Sequence, residues 1–380
     1  MNTNKVGINN REHMMRNLIK FTLAASMLAS PALSGGWEAS RLDSSMMYQD
    51  GSYAEVGTTS ADYDIQGTTQ AGKKHKMAKD QTRTSLGFKT QYGDFDVGLT
   101  SYRSGAIQMD GGNAHSAGCP GNAAMCSVVP SADVEVNSLA LLARYRINEN
   151  MSVLGGLNRY DVSNGTVTTL LGHYVVSGDE MAPIVGAAYE NKEIALRAEL
   201  VMQIETDVAL TAASSTGPSV ATSALTGATM VLPQTLTLNL QSGIAEDTLL
   251  FGSIHKADWA DAQIVIPANA VGPVSATGSA FSNTTAYSIG LGRKITDDLS
   301  VLGSYSMEDG GGATSTSSFT MNDGHQTLGL AARYTYENMT ITGGYSYAKV
   351  GDVTVTSSGL TSTYTDNKVT GIGLKVGFSF

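Results

Sequence analysis

The last twelve residues, "VTGIGLKVGFSF", alternate without a break. Ile372, Leu374, Val376, Phe378 and Phe380 fall on one side; Gly373, Lys375, Gly377 and Ser379 fall on the other. Successive side chains of a strand point to opposite faces, so this stretch is a strand with one apolar and one polar side. The pattern recurs. "QTLTLNLQS" sets Leu236, Leu238 and Leu240 against Thr235, Thr237, Asn239 and Gln241. "NSLALLARYRI" sets Leu139, Leu141, Ala143, Tyr145 and Ile147 against Arg144 and Arg146. "EIALRAELVMQIE" sets Ile194, Leu196, Ala198, Leu200, Met202 and Ile204 against Arg197, Glu199, Gln203 and Glu205. "MTITGGYSYA" sets Met339, Ile341, Tyr345 and Tyr347 against Thr340, Thr342 and Ser346.

About fourteen such segments follow one another, each long enough to cross a bilayer when tilted. Short turns at 92–94, 148–150, 191–192, 245–247, 296–298 and 337–338 alternate with long polar connectors. The connectors lie near 67–81, 104–132, 168–178, 207–232, 261–282, 309–324 and 351–366. Tight periplasmic turns and long outer loops are the pattern of an outer-membrane barrel, in which the apolar side of each strand meets lipid. Composition agrees. Only 15% of residues are charged, against about 25% in soluble domains, yet mean hydropathy is −0.06. Past residue 34 no apolar run reaches the roughly 18 residues of a spanning helix. A soluble β-sandwich would show shorter strands and no short–long alternation. The expected fold is all-β: a closed antiparallel transmembrane barrel over 52–380, preceded by a short plug at 35–51. Net charge is −10, which argues against nucleic acid as a partner.

Residues 1–34 read as a signal peptide, with 1–13 a candidate upstream extension. Arg16 and Lys20 precede an apolar stretch, and Ala32-Leu33-Ser34 is a small-x-small cleavage site. A membrane anchor is the competing reading, for which the apolar core is short. The two cysteines, Cys119 and Cys126, share a Gly-, Ala- and Ser-rich loop; in an exported chain a disulfide between them is expected. His13, His75, His115, His173, His255 and His325 are scattered and make no His-x-x-x-His pair. No nucleophile–base arrangement, metal set or phosphate loop stands out, so the chain reads as a non-enzyme without cofactor.

The polar faces carry bases. Lys89, Arg144, Arg146, Arg197, Lys294, Arg333 and Lys375 all face inward by parity, near short turns or the carboxyl terminus, with Asp96 and Glu199 in the same zone. They would either hold the carboxylate of a cargo or form ion pairs that pack the lumen against the plug. The plug's bulky residues are Trp37, Leu42, Met46, Met47 and Tyr48.

Three stretches resemble the outer-membrane long-chain fatty-acid transporter family (FadL/TodX type). They are "LPQTLTLNLQSGIAEDTLLFGSIHKADWADA" (232–262), "VGAAYENKEIALRAELVMQIE" (185–205) and "DGHQTLGLAARYTYENMTITGGYSYAKVGD" (323–352). The resemblance implies a fourteen-stranded barrel whose amino-terminal hatch plugs the lumen, and passive inward carriage of apolar molecules. It makes long-chain fatty acids the implied cargo, with Arg144, Arg146, Arg197, Arg333, Lys89 and Lys375 as candidate ligand contacts. It also implies insertion into outer-membrane lipid of a Gram-negative cell, with Phe380 read by the barrel-assembly machinery. The chain departs from the family at the hatch, which is short and has "YQDGS" where an Asn-Pro-Ala motif is usual. Two other functions compete: a diffusion porin for small hydrophilic solutes, and a structural or adhesive surface barrel.

Overall fold

The computed structural model describes residues 36–380, apart from 71, 73, 111–130, 170–171, 216–222, 267–275 and 358–359. The export signal at 1–34 and both cysteines, Cys119 and Cys126, lie outside the described residues.

Fourteen antiparallel strands form the wall. In chain order they are Tyr53–Asp64, Gln81–Tyr92, Phe95–Met109, Ser131–Arg146, Met151–Thr169, Gly172–Asn191, and Leu196–Gln203 continued by Thr206–Ser215. Then come Ser223–Leu232 continued by Thr235–Ala245, Thr248–Ala257 with Ile264–Ile266, and Ala276–Thr277 with Thr284–Lys294. Leu299–Glu308, His325–Tyr336, Met339–Val350 and Lys368–Ser379 complete the wall. The last strand pairs with the first, from Tyr53↔Ser379 to Asp64↔Lys368, and the sheet is closed. Closure leaves no edge of unpaired backbone in lipid.

Alternation sorts the side chains as the sequence requires. Leu139, Leu141, Leu236, Leu240, Tyr345, Tyr347, Ile372 and Leu374 lie exposed on the outer face. Their sequence neighbours Ala140, Leu142, Gln241, Ser346 and Lys375 are buried inside. Aromatic residues collect at the short-turn rim. Phe88 lies 6.2 Å from Phe380, and Phe95 lies 4.7 Å from Tyr145, between ring centroids. The Phe380 backbone is tied into the wall, donating to Ser52 O at 2.9 Å and accepting from Ser52 N at 3.2 Å.

The connectors differ from the sequence expectation. Strands Met151–Thr169 and Gly172–Asn191 run through 168–178 as one long hairpin, and 207–232 is largely wall. Parts of 67–81, 309–324 and 351–366 make a second, five-stranded sheet at the long-connector end. Its strands are Thr314–Ser315, Val353–Ser357, Leu360–Tyr364, Gln66–Thr69 and Lys74–Lys76. The cause is local: "VTVTS" and "TVTT" keep the β-branched content of a strand beyond the length that lipid demands. Buried Val353, Val355, Tyr364, Ile65 and Met77 then join Trp37, Trp259 and Phe281 in one apolar core. The outer half of the lumen is thereby packed.

Two irregularities interrupt the wall. Strand 81–92 pairs with 95–109 only from Leu86↔Ser101 to Tyr92↔Phe95. Above that level 95–109 bulges between Arg103 and Gly105 and takes its bonds from the amino-terminal segment instead. Ala39 N donates to Ser104 O at 2.7 Å and Ala106 N to Trp37 O at 2.9 Å. Gly105 is required there, because a Cβ would sit 2.2 Å from the Trp37 ring. Strand 172–191 likewise pairs with its neighbour at Ile184↔Gln203, and resumes only at Ser177↔Thr211.

A closed barrel resists detergent until heated. Purified protein run unboiled is expected to migrate faster than boiled protein, with a β-type circular-dichroism spectrum. Identical mobilities with a helical spectrum would contradict the fold.

Candidate functional site

Residues 36–52 run inside the barrel. Trp37 and Ala39 are added to the bulged strand as just described. Ser45–Tyr48 forms one short 3-10 turn whose four residues are all buried. Met46 and Met47 pack with Tyr53, Tyr102, Leu142, Leu154, Ile184 and Val201, and Leu42 packs against the same cluster.

Charge fixes this segment to the wall. Glu199 accepts hydrogen bonds from Tyr48 Oη and Ser44 Oγ, both at 2.8 Å, and from Asn239 Nδ2 at 3.0 Å. The Arg144 and Arg197 guanidiniums lie 4.3 Å and 4.2 Å from the Tyr48 ring centroid. Both cations are within cation–π reach of the Tyr48 ring, each contact worth about 0.5–2 kcal/mol. Burial first, and Glu199 second, push the Tyr48 phenol well above its usual range. Lys89 Nζ donates to Gln49 O at 2.6 Å and Gly51 O at 2.9 Å. Higher in the lumen Arg41 bridges Glu38 at 2.8 Å and Glu308 at 2.9 Å, and Glu38 also meets His255 Nε2 at 3.3 Å. Burial would raise the Glu38 carboxyl, but His255 and Arg41 overcome it and hold the group well below the carboxylate range. Lys375 Nζ holds Asp43 at 3.1 Å and Glu55 at 3.2 Å. Arg83 donates to Ala39 O and, at 2.6 Å, to Tyr63 Oη.

Beside the segment lies a cavity of about 280 Å³. Its charged lining comprises the carboxylates of Glu38, Asp43, Glu55, Glu199 and Glu308 and the cations of Arg41, Arg83, Arg103, Arg197 and Lys375. Hydroxyls of Ser85, Thr100, Ser253, Ser288 and Ser304 supply much of the rest.

The six bases expected as ligand contacts separate into three groups. Lys89, Arg144 and Arg146 converge on one buried carboxylate, Asp96. Lys89 Nζ is 2.7 Å from Oδ1, Arg144 Nη2 is 3.0 Å from Oδ2, and Arg146 Nη1 also reaches Oδ2. These three do not line the cavity. Lys375 lines it with its charge committed to Asp43 and Glu55. Arg197 lines it and, among the described residues, forms no ion pair; it lies over the Tyr48 ring. Arg333 is buried but away from the cavity. Sequence reasoning missed Glu38, Arg41, Arg83, His255 and Glu308. Parity would have found three of them: Arg83 shares its face with Lys89, His255 with Phe251, and Glu308 with Leu302. Glu38 and Arg41 lie in a segment without periodicity, where parity has no meaning.

Asp96 is the sole carboxylate touching all three of its bases. Asp96→Ala leaves like charges buried together, and breaking a buried pair costs about 3–5 kcal/mol. The expected outcome is a markedly lower heat-transition midpoint in the gel-mobility assay. A midpoint equal to the wild type would mean that the cluster is solvated.

No family model matches the chain, and no curated protein sequence matches it. Solved structures do. A FadL homologue of Pseudomonas aeruginosa superposes with a TM-score of 0.68 at 12% identity, covering 94% of this chain and 96% of that one. The Pseudomonas putida toluene transporter TodX gives 0.61 at 14% identity, over 93% and 98%. The Ralstonia pickettii toluene transporter TbuX gives 0.59 at 11% identity, over 93% and 100%. With a closed fourteen-stranded wall, an apolar outer face and an amino-terminal segment inside the lumen, the chain has the fold of the FadL/TodX-type outer-membrane barrels.

Proposed function

We propose that the protein carries hydrophobic compounds passively across the outer membrane of a Gram-negative cell, long-chain fatty acids being the favoured cargo. The observation that carries this reading is Arg197. Among the described residues it is one of two cavity-lining bases without a carboxylate partner; the other, Arg83, is committed to Ala39 O, Gln81 and Tyr63 Oη. The structural neighbours of the barrel include toluene transporters. A fatty-acid carboxylate would gain a charge-assisted contact there in low-dielectric surroundings. The alkyl tail would lie along Leu42, Tyr102 and Phe251, which line the same cavity. Each buried methylene adds about 0.8 kcal/mol, so chain length should outweigh head group.

Residues 35–51 act in this reading as the hatch, after removal of a signal peptide at 1–34. The hatch also supplies the backbone bonds that strand 95–109 lacks from strand 81–92. Moving Trp37–Ala39 would therefore loosen the lumen and the wall together. Phe380 serves as the recognition end for the assembly machinery. The ten charged residues around the cavity favour a second reading, a diffusion path for small hydrophilic solutes.

Labelled acids of several lengths, tested for uptake beside planar-bilayer conductance, separate the two. Long acids are expected to enter faster than short ones, and Arg197→Ala to slow acids more than hydrocarbons of equal length. Deleting 37–48 should raise small-ion conductance. Equal uptake at all lengths, with a large conductance in the intact protein, would establish the porin instead. Phe380→Asp costs only about 0–1 kcal/mol at the interface, so a large fall in membrane insertion would report lost recognition. Wild-type surface levels of that variant would remove Phe380 from assembly.

A further inference from the structure

Arg333 is 3% exposed, on the lumen face of strand 325–336, whose opposite face shows Leu328, Leu330 and Tyr334. Its Nε and Nη1 meet no hydrogen-bond acceptor, and among the described residues it forms no ion pair. Glu55 acts on the Arg333 charge through space but is already engaged. Glu55 holds Lys375 Nζ at 3.2 Å and accepts from Tyr53 Oη at 3.2 Å. Asp43 holds Lys375 at 3.1 Å.

The register places Arg333 at the centre of a row across five strands. Lys294 pairs with Ser300, Ser300 with Arg333, Arg333 with Thr342, and Thr342 with Lys375. Ser300 shares its face with buried Leu302, and Thr342 is itself buried, so both hydroxyls stand on the lumen side. The outer cations have carboxylates: Lys294 Nζ lies 2.7 Å from Asp297, and Lys375 has two. The central one has none. A guanidinium does not give up its proton. An unpaired ion taken out of water costs several kcal/mol. The lumen-facing groups here are N–H and O–H donors, which suit an oxyanion and neither a cation nor an alkyl chain.

We propose that Arg333, flanked by Ser300 and Thr342, is a binding site for an oxyanion, a carboxylate or a phosphate, at the short-turn end of the lumen. The site lies beside the Arg197 cavity, which Lys375 also lines, and does not depend on which cargo the barrel carries. An anion there would complete the row, giving each of its three cations a counterion. Two sources fit: inorganic phosphate from the periplasm, or the carboxylate of an organic acid in transit.

The test is the heat-transition midpoint of the purified full chain in detergent, titrated with sodium phosphate or sodium acetate against sodium chloride of equal ionic strength. A saturable rise in the wild type is expected with at least one oxyanion. Arg333→Gln should weaken half-saturation about tenfold or more, the loss of one charged hydrogen bond. Thr342→Val, which keeps the side-chain shape, should weaken it several-fold. Loss of the rise in Arg197→Ala, with the wild-type response kept in Arg333→Gln, would assign the anion to the Arg197 cavity and overturn this site, so that failure of the uptake reading and failure of this site are told apart. A response to phosphate alone points to the periplasmic ion. A response to acetate alone points to the organic acid, and a response to both to either source. No rise beyond chloride in the wild type overturns the proposal. So does an equal rise in Arg333→Gln and Thr342→Val.

Discussion

In the bilayer core an unpaired backbone amide has no water to turn to, and each costs several kcal/mol. Everything else in this molecule follows from meeting that demand. Strand 53–64 must find 368–379, and the two pair along their whole length. Where the wall strands part, between 81–85 and 102–106, the open backbone groups are met by Trp37 and Ala39 from within. The amino-terminal segment is thus a piece of the sheet's hydrogen bonding as well as a filling for the lumen.

Closure creates a second demand. Half of every strand points into a confined interior, and in its short-turn half the sequence places many charges. These charges are partly shielded from water, so they must be paired. Asp96 answers for Lys89, Arg144 and Arg146; Asp43 and Glu55 answer for Lys375; Glu38 and Glu308 answer for Arg41. Several of these partners belong to the amino-terminal segment, so electrostatic satisfaction of the wall and seating of the segment are one event. Tyr48 shows the coupling most directly, with its ring in reach of Arg144 and Arg197 and its hydroxyl on Glu199.

Period-two alternation made the barrel legible before any coordinates. Because each wall residue faces either lipid or lumen, parity alone put Leu141 outside and Arg144 inside. The same rule marked Lys89, Arg197, Arg333 and Lys375 as interior. Parity cannot say which acid meets which base, because that depends on register between strands distant in sequence. Hence the Asp96 cluster could not be told from a cargo site until the ladders were known. The connector strands were missed for a different reason: short Thr- and Val-rich stretches such as 353–357 read equally well as polar loop. Trp259 was noticed as part of a motif, but its place 5.2 Å from Trp37 and 5.9 Å from Phe281 is set by an irregular bend at 258–263.

The lumen that results is divided. Beneath the five-stranded sheet it is an apolar core; the charged, hydroxyl-lined chamber reaches from Glu55 and Arg197 near the short turns up to Arg83, His255 and Glu308 at the long-connector ends of their strands. An apolar molecule and an ion would each find one part welcoming and the other costly. The division sets apolar packing apart from charge pairing, and with five carboxylates and five cations the charged part has no net sign. It also explains why the amino-terminal segment changes character along its length. Trp37 lies in the apolar zone, and Glu38, Arg41 and Asp43 follow within six residues, where the wall turns from packing to pairing.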